Sequence, residues 1–403
     1  MTIGLTTFTG SDAPTQTQTP TSLPTAPRRR AVRHRPTVVL LLSALLTMAC
    51  AGIANPNGWA SPVVEEGILV TQIDEGELSA FTTPTGDSLA LNPTARLWTY
   101  PGGTDDDDGV DLKAIYATPL IDGGIVYVAG YSGQVVALTL QNGRPVTSWG
   151  GPVDIAERIV ATPALHGDVL YIATEVGRLH RLDASNGTRV ATPVDIGGRI
   201  WAAPYADARG VYVAGIDRDF VAIDGSSGQS RWSRDIGAVA GDPIAVGGLL
   251  YVPAFDRRVH VLDLTADGAE RWPDGGRGDA WFWSSPLIEG NTVYAVAVDG
   301  SVYAFDRDTG ALRWRTIAAS SDEVRAAPVL QSNVLMIATR DGDIRGFNPT
   351  NGTLLWVEHV SGERFYADPL VLESGLVIFT DEDGGLWRVD PSSGNTQPFL
   401  ESS

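Results

Sequence analysis

Cysteine is almost absent from this sequence, since Cys50 is the one cysteine among 403 residues. A chain with a single cysteine cannot form an internal disulfide, and it cannot supply the paired cysteines of a C-x-x-C-H haem attachment or a Cys₄ zinc site. The fold therefore has to be stabilised by burial of apolar surface. The roughly 350 residues outside the N-terminal region are enough chain for a large core.

Basic residues are also scarce. Lys113 is the single lysine, and 29 basic residues stand against 48 acidic ones, a net charge of −19 at pH 7. Removal of residues 1–49, which contain five arginines and one aspartate, leaves a net charge of −23. A surface with this charge repels nucleic acid and anionic membrane faces. The sequence therefore predicts no nucleic-acid partner.

Long apolar runs are missing except for one at residues 37–54. A Thr-, Pro- and Gln-rich extension and a block of five arginines precede it, an order typical of an export signal. Within this run lies Cys50, where a lipoprotein signal peptidase would leave a modifiable thiol, although Thr47 stands where a lipobox has leucine. Three interpretations stay open: a lipidated Cys50, an uncleaved transmembrane anchor of 18 residues, and simple secretion. All three put the rest of the chain outside the cytoplasm.

The motifs of several chemistries are missing as well. No G-x-S-x-G, H-E-x-x-H or P-loop pattern occurs, so nucleophilic, zinc and nucleotide chemistry have no support. His180 and His260 fall at equivalent points of non-adjacent repeats, which favours solvated or strand-packed side chains over a shared metal. The four aspartates at 105–108 lack the alternating spacing and glycine of an EF-hand loop, which favours a solvated acidic loop over a calcium site.

What the sequence does contain is a repeat of about forty residues, best developed at residues 284–314. It reads as four short β-branched and aromatic runs separated by turn residues. One of these turns is Asp299-Gly300, a strong hairpin signal because both turn positions need φ > 0. A proline after small residues marks each of the eight copies, at intervals of 39 to 57 residues: Pro62, Pro119, Pro163, Pro204, Pro243, Pro286, Pro328 and Pro369. Eight such units predict an all-β, eight-bladed β-propeller of four-stranded antiparallel blades with negligible helix.

These observations divide the chain into three parts: a disordered extension and leader at 1–49, a tether at 50–56, and the propeller at 57–403. The last copy ends at Gln397-Pro398-Phe399, a weak outer strand, which predicts that residues 55–59 help to complete it. We expect an exported monomer, anchored to the membrane by lipid or by the apolar run. Its location would be the outer membrane or periplasm of a diderm cell, or the surface of a monoderm cell.

The combination Pro…VYV…DG-x-VYA-x-D…TG…W resembles the PQQ-type (pyrroloquinoline quinone) propeller repeat over about residues 57–399. The resemblance implies that the tryptophan on the outer strand docks between neighbouring blades. It therefore implies a structural inter-blade role for Trp98, Trp149, Trp232, Trp272, Trp314 and Trp356.

The resemblance leaves two classes of function open. Quinoprotein dehydrogenases with this repeat are longer and hold the quinone beside a vicinal disulfide, whereas this chain has no cysteine after Cys50 and no recognisable residues for calcium or a catalytic base. The sequence therefore favours a non-enzymatic envelope scaffold that binds protein partners without a cofactor, similar to the BamB family of outer-membrane assembly lipoproteins. The alternative is a PQQ-dependent dehydrogenase-like enzyme, or a propeller that binds a small ligand or saccharide.

One position of the repeat is aromatic more often than blade packing requires. Three residues before the eight prolines stand Trp59, Tyr116, Val160, Trp201, Ala240, Trp283, Arg325 and Tyr366. In a propeller this position begins the innermost strand or the loop before it, so these side chains are expected to ring one mouth of the central channel. Aromatic residues and arginine dominate interface hot spots. We therefore predict a partner-binding surface formed by Trp201, Trp281, Trp283, Arg325, Arg364 and Tyr366, with aromatic packing against neighbouring blades as the alternative.

Overall fold

The computed structural model describes residues 58–84, 96–102, 110–216, 219–317, 323–360 and 362–400. Cys50, the leader, the tether and the acidic loop at 105–108 lie outside these residues. Within them, 32 strands form eight four-stranded sheets, and in every sheet the strands are hydrogen-bonded in chain order. The predicted eight-bladed propeller is confirmed, and a 3₁₀ turn at Thr147–Trp149 is the one helical element in the described part of the chain. No helix in these ranges has the length and apolar composition needed to cross a membrane.

The strands of blades one to four, in chain order, are β1–β4 (Val63–Glu65, Ile68–Asp74, Glu77–Thr82, Arg96–Tyr100), β5–β8 (Leu120–Asp122, Ile125–Ala129, Gln134–Thr139, Val153–Asp154), β9–β12 (Ala164–His166, Val169–Ala173, Arg178–Asp183, Val194–Asp195) and β13–β16 (Tyr205–Asp207, Gly210–Ala214, Asp219–Ile223, Ser230–Asp235). Those of blades five to eight are β17–β20 (Ile244–Val246, Leu249–Ala254, Arg258–Asp263, Ala269–Glu270), β21–β24 (Leu287–Glu289, Thr292–Val296, Ser301–Asp306, Leu312–Ile317), β25–β28 (Val329–Gln331, Val334–Ala338, Asp343–Phe347, Leu354–His359) and β29–β32 (Leu370–Val371, Val377–Thr380, Leu386–Val389, Thr396–Leu400).

The second and third strands of each blade are apolar on both faces because each blade lies between two others. Strand β22 shows this directly. Val293 and Ala295 pack in one buried cluster with residues of blade five, whereas Tyr294 and Val296 pack in another with residues of blade seven. Successive side chains of a strand point to opposite faces, so an uninterrupted apolar run is what a strand buried on both sides requires.

Eight buried clusters, one between each pair of adjacent blades, close the ring. The cluster between the last blade and the first joins Leu69 and Phe81 to Ile378 and Phe399. Closure therefore depends on side-chain packing and not on exchange of a strand between the chain ends.

The expectation that residues 55–59 complete blade eight is wrong for the described residues. Strand β32 forms within its own blade and pairs with β31 despite Pro398. Gly58 instead makes a parallel bridge to Ile115, just before blade two, and the Trp59 N–H donates to the Ile115 carbonyl at 3.2 Å. Proline is tolerated in β32 because this strand lies at the sheet edge, where one row of backbone donors has no partner strand.

Each of the six tryptophans expected between blades contacts the turn between the third and fourth strands of the next blade. Their rings lie against glycines of that turn: Gly143, Gly187, Gly268, Gly310, Gly352 and Gly394. In five of them the indole N–H also donates to a carbonyl of the same turn at 2.7 to 3.0 Å: Trp98 to Leu140, Trp149 to Ala184, Trp272 to Arg307, Trp314 to Pro349 and Trp356 to Pro391. The hydrogen bond fixes the ring and the missing Cβ of the glycine makes room for it.

Blade three has no such tryptophan, and a different side chain makes the equivalent hydrogen bond. The buried Arg181 guanidinium donates to the carbonyls of Gly225 and Ser226, at 3.1 and 2.8 Å, in the corresponding turn of blade four. Val194 lies against Gly228 of that turn, where the other blades place the indole ring. A charged donor and a branched apolar side chain together replace one tryptophan.

We expect Gly352→Ala to destabilise the protein more than Gly167→Ala does. Both glycines have positive φ, +71° and +59°, so both alanines pay a left-handed penalty of about 1–2 kcal/mol. Only at Gly352 would the new Cβ lie 2.5 Å from the Trp314 ring, whereas at Gly167 no atom lies within 4 Å. Urea unfolding should show an additional loss of about 1–3 kcal/mol for Gly352→Ala. Equal losses would mean that the tryptophan contact is loose.

Candidate functional site

The loop that enters each blade is held by the hairpin between the second and third strands of the same blade. In seven blades the carbonyl of the residue five before the proline accepts a backbone hydrogen bond from that hairpin, at 2.8 or 2.9 Å. The acceptors are Ala114, Arg158, Arg199, Ala238, Trp281, Glu323 and Arg364, and the donors are Tyr131, Glu175, Ile216, Phe255, Val298, Arg340 and Glu382. This repeated bond fixes the course of the loop two residues ahead of the aromatic position.

As a result, the residues that stand three positions before the prolines come together around one cavity. All eight of them, from Trp59 to Tyr366, line a single cavity that opens to solvent, and its empty space of about 610 Å³ includes part of that solvent. Because every blade contributes to its lining, the cavity lies on the axis of the ring. Sequence reasoning placed these positions at one mouth of the channel, and the geometry of the described residues agrees.

The large side chains of the cavity contact one another. Trp59 lies 4.3 Å from Tyr116 and 6.0 Å from Tyr366, measured between ring centroids. The Arg325 guanidinium lies over two rings, 4.7 Å from the centroid of Trp283 and 5.4 Å from that of Tyr366.

On the other side of Trp283, Trp201 follows at 6.0 Å. We call these six residues the aromatic collar: Trp59, Tyr116, Trp201, Trp283, Arg325 and Tyr366. The collar joins residues of blades one, two, four, six, seven and eight.

Two of the residues predicted for the partner surface lie outside this cavity. Trp281 is 52% exposed and stacks on Phe255 at 5.2 Å, and Phe255 in turn lies 5.3 Å from Trp283, so Trp281 extends the collar outward. Arg364 pairs with Glu382 at 3.0 Å on the hairpin of blade eight. Sequence reasoning missed Phe255 because it belongs to a hairpin and not to the loop before the proline.

An incomplete ring of hydrogen bonds lies next to the collar, formed by the residues directly before the prolines. We call it the belt. In five blades the backbone N–H of this residue donates to the side chain of its counterpart in the following blade: Ser61 to Thr118 at 3.2 Å, Thr118 to Thr162 at 3.1 Å, Ala203 to Asp242 at 2.6 Å, Ala327 to Asp368 at 2.6 Å, and Asp368 to Ser61 at 2.9 Å. The last bond crosses the junction of blades eight and one.

Two carboxylates of the belt, Asp242 and Asp368, line the cavity together with the collar. Both retain some surface toward the cavity but are crowded by protein elsewhere. Burial raises the pKa of Asp242 to about 7; the Ala203 N–H opposes this rise and the negative charge of Asp368 adds to it. Burial also raises the pKa of Asp368, against the effect of the Ala327 N–H.

Sequence reasoning missed these two aspartates. The signal was present, because an acidic residue stands before the proline in two repeats where the other six have serine, threonine or alanine. Whether such an aspartate has a raised pKa depends on its burial in the folded protein, and an alignment of the repeats does not show burial.

The two equivalent histidines are buried in their strands, so of the two expected environments, solvated or strand-packed, both have the strand-packed one. The His180 ring contacts Glu157 at 3.1 Å, and the His260 ring lies between Asp256 at 3.0 Å and Glu270 at 2.9 Å. Each therefore has acidic partners within its own blade. In the described ranges, no group of three or more His, Cys, Asp or Glu residues is arranged to hold a metal ion.

Comparison with known proteins gives one family. The family model described as outer membrane protein assembly factor BamB matches residues 55–193 and 194–397. A protein of that name from Burkholderia pseudomallei is 34% identical over 119 residues, which are 29% of this chain and 30% of the relative. The serine/threonine-protein kinase AfsK of Streptomyces griseus is 37% identical over 115 residues, 25% of this chain and 14% of the kinase. The match thus spans less than a third of either curated relative.

A solved structure shows the same fold. The crystal structure of BamB from Moraxella catarrhalis matches with a TM-score of 0.64 at 20% identity, and the match covers 81% of this chain and 92% of that one. At this identity the likeness concerns the fold alone. The propeller is therefore shared with a solved structure, while the composition of the collar is a property of this sequence.

We expect Asp242→Asn to stabilise the protein at pH 8 and to have no such effect near pH 4. The folded pKa lies above the unfolded value of 3.8, so the ionised carboxylate destabilises the fold. This penalty is absent below pH 3.8, develops up to about pH 7 and is complete above it. Asparagine keeps an oxygen for the Ala203 N–H. The gain at pH 8 should be on the order of 2 kcal/mol by urea unfolding.

The matched control is Asp308→Asn, which removes the same charge from an exposed turn. A gain at Asp242 that is the same at pH 4 and pH 8, or one that Asp308→Asn reproduces, would contradict the assignment of a desolvated carboxylate.

Proposed function

This chain belongs to the outer membrane protein assembly factor BamB family, and from that premise we propose that it is a non-enzymatic scaffold that binds protein partners in the cell envelope during outer-membrane protein assembly. The family match extends over residues 55–397, nearly the whole propeller. Members of this family are described as outer membrane protein assembly factors, and we extend that role to this chain.

The aromatic collar is the main structural support for partner binding. Blades three and five place Val160 and Ala240 at the collar position, so the fold does not need a large ring there. Five other blades nevertheless supply an aromatic residue and one supplies Arg325. Partly exposed tryptophan, tyrosine and arginine around a concave site are the composition of an interface hot spot.

A rigid frame supports this use of the mouth. The hairpin hydrogen bonds fix the loops that carry the collar, so a partner would meet preformed rings and lose little entropy in ordering them. Trp281 and Phe255 continue the apolar surface outward from the cavity. An incoming segment could therefore contact both the cavity and its rim.

An enzymatic role has less support. The chain has no cysteine after Cys50, so it cannot form the vicinal disulfide of the quinoprotein dehydrogenases. The similarity to AfsK covers 14% of that kinase. No observation on the described residues singles out a catalytic group, and we therefore propose the scaffold alone.

We also propose that lipid on Cys50 attaches the propeller to the membrane. The proposal is supported by the sequence order of arginine block, apolar run and cysteine. One acyl chain binds membranes only weakly and reversibly, whereas the several chains of a mature lipoprotein give stable attachment. The collar would then bind its partners close to the membrane surface.

We expect the double change Trp201→Ala with Trp283→Ala to abolish partner capture without unfolding the propeller. Truncation of a central interface tryptophan costs about 2–4 kcal/mol, so two together should weaken capture more than a hundredfold. The measurement is retention of outer-membrane assembly proteins from the source envelope on a tagged copy, with Tm determined in parallel.

The matched control is Leu312→Ala with Ile317→Ala. It truncates two apolar side chains, 53% and 64% exposed, on the outer strand of blade six and leaves the collar intact. Loss of capture in the control but not in the collar variant would place the interface on the outer edge of the ring. A collar variant with a much lower Tm would show that the two tryptophans are packing residues.

The lipid attachment has its own test. Cys50→Ala should abolish incorporation of labelled palmitate and leave an uncleaved precursor, because the thiol is the acceptor for the lipid. Equal labelling of the variant and the wild type would rule out Cys50 as the site. Unlabelled wild-type protein that stays in the membrane fraction would instead support the uncleaved anchor.

A further inference from the structure

Two buried hydroxyl groups in the mouth cavity have no hydrogen-bond partner among the described residues. They are Tyr116 Oη and Ser284 Oγ. Their residues are 5% and 4% exposed, and both line the cavity that Asp242 and Asp368 also line. An unpaired buried polar group costs free energy, and native proteins leave few of them. Partners for these hydroxyls are therefore expected to be buried water or an occupant of the cavity.

Asp242 and Asp368 line the same cavity as these hydroxyls and determine which chemical groups an occupant must supply. The belt uses Oδ1 of Asp242 for the Ala203 N–H and Oδ1 of Asp368 for the Ala327 N–H. One oxygen of each carboxylate remains outside these bonds. An ionised carboxylate only accepts hydrogen bonds, so the complementary occupant is a donor. Burial disfavours the ionised form of both aspartates, and a cationic donor offsets that cost.

The collar adds a second preference for a cation. Trp59, Tyr116 and Trp201 line the cavity, and a cation over the face of such a ring is stabilised by the ring quadrupole. Arg325 already shows this contact inside the collar, over Trp283 and Tyr366. Its own charge is matched by Glu323, 2.6 Å away, and not by the belt carboxylates.

A metal ion fits the cavity lined by Asp242, Asp368 and the aromatic rings less well than an organic cation does. In the described part of the chain no three His, Cys, Asp or Glu residues are close enough together to bind an ion. Aromatic walls suit the apolar stem of a lysine or arginine side chain, which lies along rings while its head group pairs with carboxylates. The net negative charge of the chain, −19, also attracts a basic segment.

We propose that the mouth cavity receives one basic side chain, lysine or arginine, from a partner polypeptide, with its head group at Asp242, Asp368 and Ser284 and its stem against Trp59, Tyr116 and Trp201. The proposal rests on the scaffold function proposed above and gives that interface its chemistry. The collar would then bind a cationic side chain that enters the cavity, instead of a flat apolar surface of the partner.

The test uses the purified full chain with ¹⁵N-labelled indole groups and three probes. The tripeptide acetyl-Gly-Lys-Gly-amide presents a lysine side chain, its Nε-acetylated form removes the charge, and spermidine is a free polyamine. The lysine peptide should shift the indole signals of Trp59 and Trp201, the two tryptophans placed against its stem, saturably. The acetylated peptide and spermidine should each bind at least tenfold more weakly.

The variants locate the head group. Asp242→Asn with Asp368→Asn keeps both oxygen acceptors of the belt and should weaken the lysine peptide at least tenfold. Asp267→Asn with Asp308→Asn removes the same charge from exposed turns and should leave binding unchanged. Ser284→Ala, which deletes one unpaired hydroxyl, should weaken binding about threefold and provides a second measurement if the double belt variant does not fold.

Three results would overturn the proposal. Equal binding of the lysine peptide and its acetylated form would show an apolar site. Tighter binding of spermidine than of the peptide would show a polyamine site. Unchanged capture of envelope partners by the belt variant, with capture lost in the Trp201 and Trp283 double variant, would refute the basic side chain while the scaffold function stands.

Discussion

Burial of both faces of every blade is the constraint on which this structure depends. In β22, alternate side chains pack against blade five and blade seven, so neither neighbour can be removed without exposing a row of apolar residues. The same is true at the junction of Leu69 and Phe399, where the first and last blades pack against each other. A single four-stranded sheet cannot bury either face alone, and stability is therefore a property of the closed ring.

Ring closure also determines how firmly the loops that carry the collar are held in position. The loops before the eight prolines start on different blades, and in blades two to eight the loop is tied to a hairpin of its own blade by a carbonyl hydrogen bond. The belt then links neighbouring loops to one another, across the chain-end junction as well, through Asp368 and Ser61. Loops carry function when a rigid scaffold positions them, and here two sets of hydrogen bonds provide that positioning.

The chemistry of the mouth follows from the same arrangement. Aromatic rings that would be unremarkable on separate blades form a continuous collar once eight loops converge. The charge of Arg325 is held by Glu323, which leaves Asp242 and Asp368 as the acidic groups of the cavity. Part of this sequence is also similar to AfsK, a serine/threonine-protein kinase, over 115 residues. Function must therefore be argued from these loops and not from the propeller.

The sequence alone determined the repeat, because turn residues, short β-branched and aromatic runs and the small-small-Pro signature are local features with a local physical cause. It was enough to count eight blades and to find the position that lines the mouth, from Trp59 to Tyr366. Only the tertiary structure decided which of those residues touch, that Arg181 replaces the tryptophan missing from blade three, and that Arg364 pairs with Glu382 outside the cavity. It alone placed Asp242 and Asp368 in one desolvated site, since burial and charge proximity arise between residues more than a hundred positions apart when the ring closes.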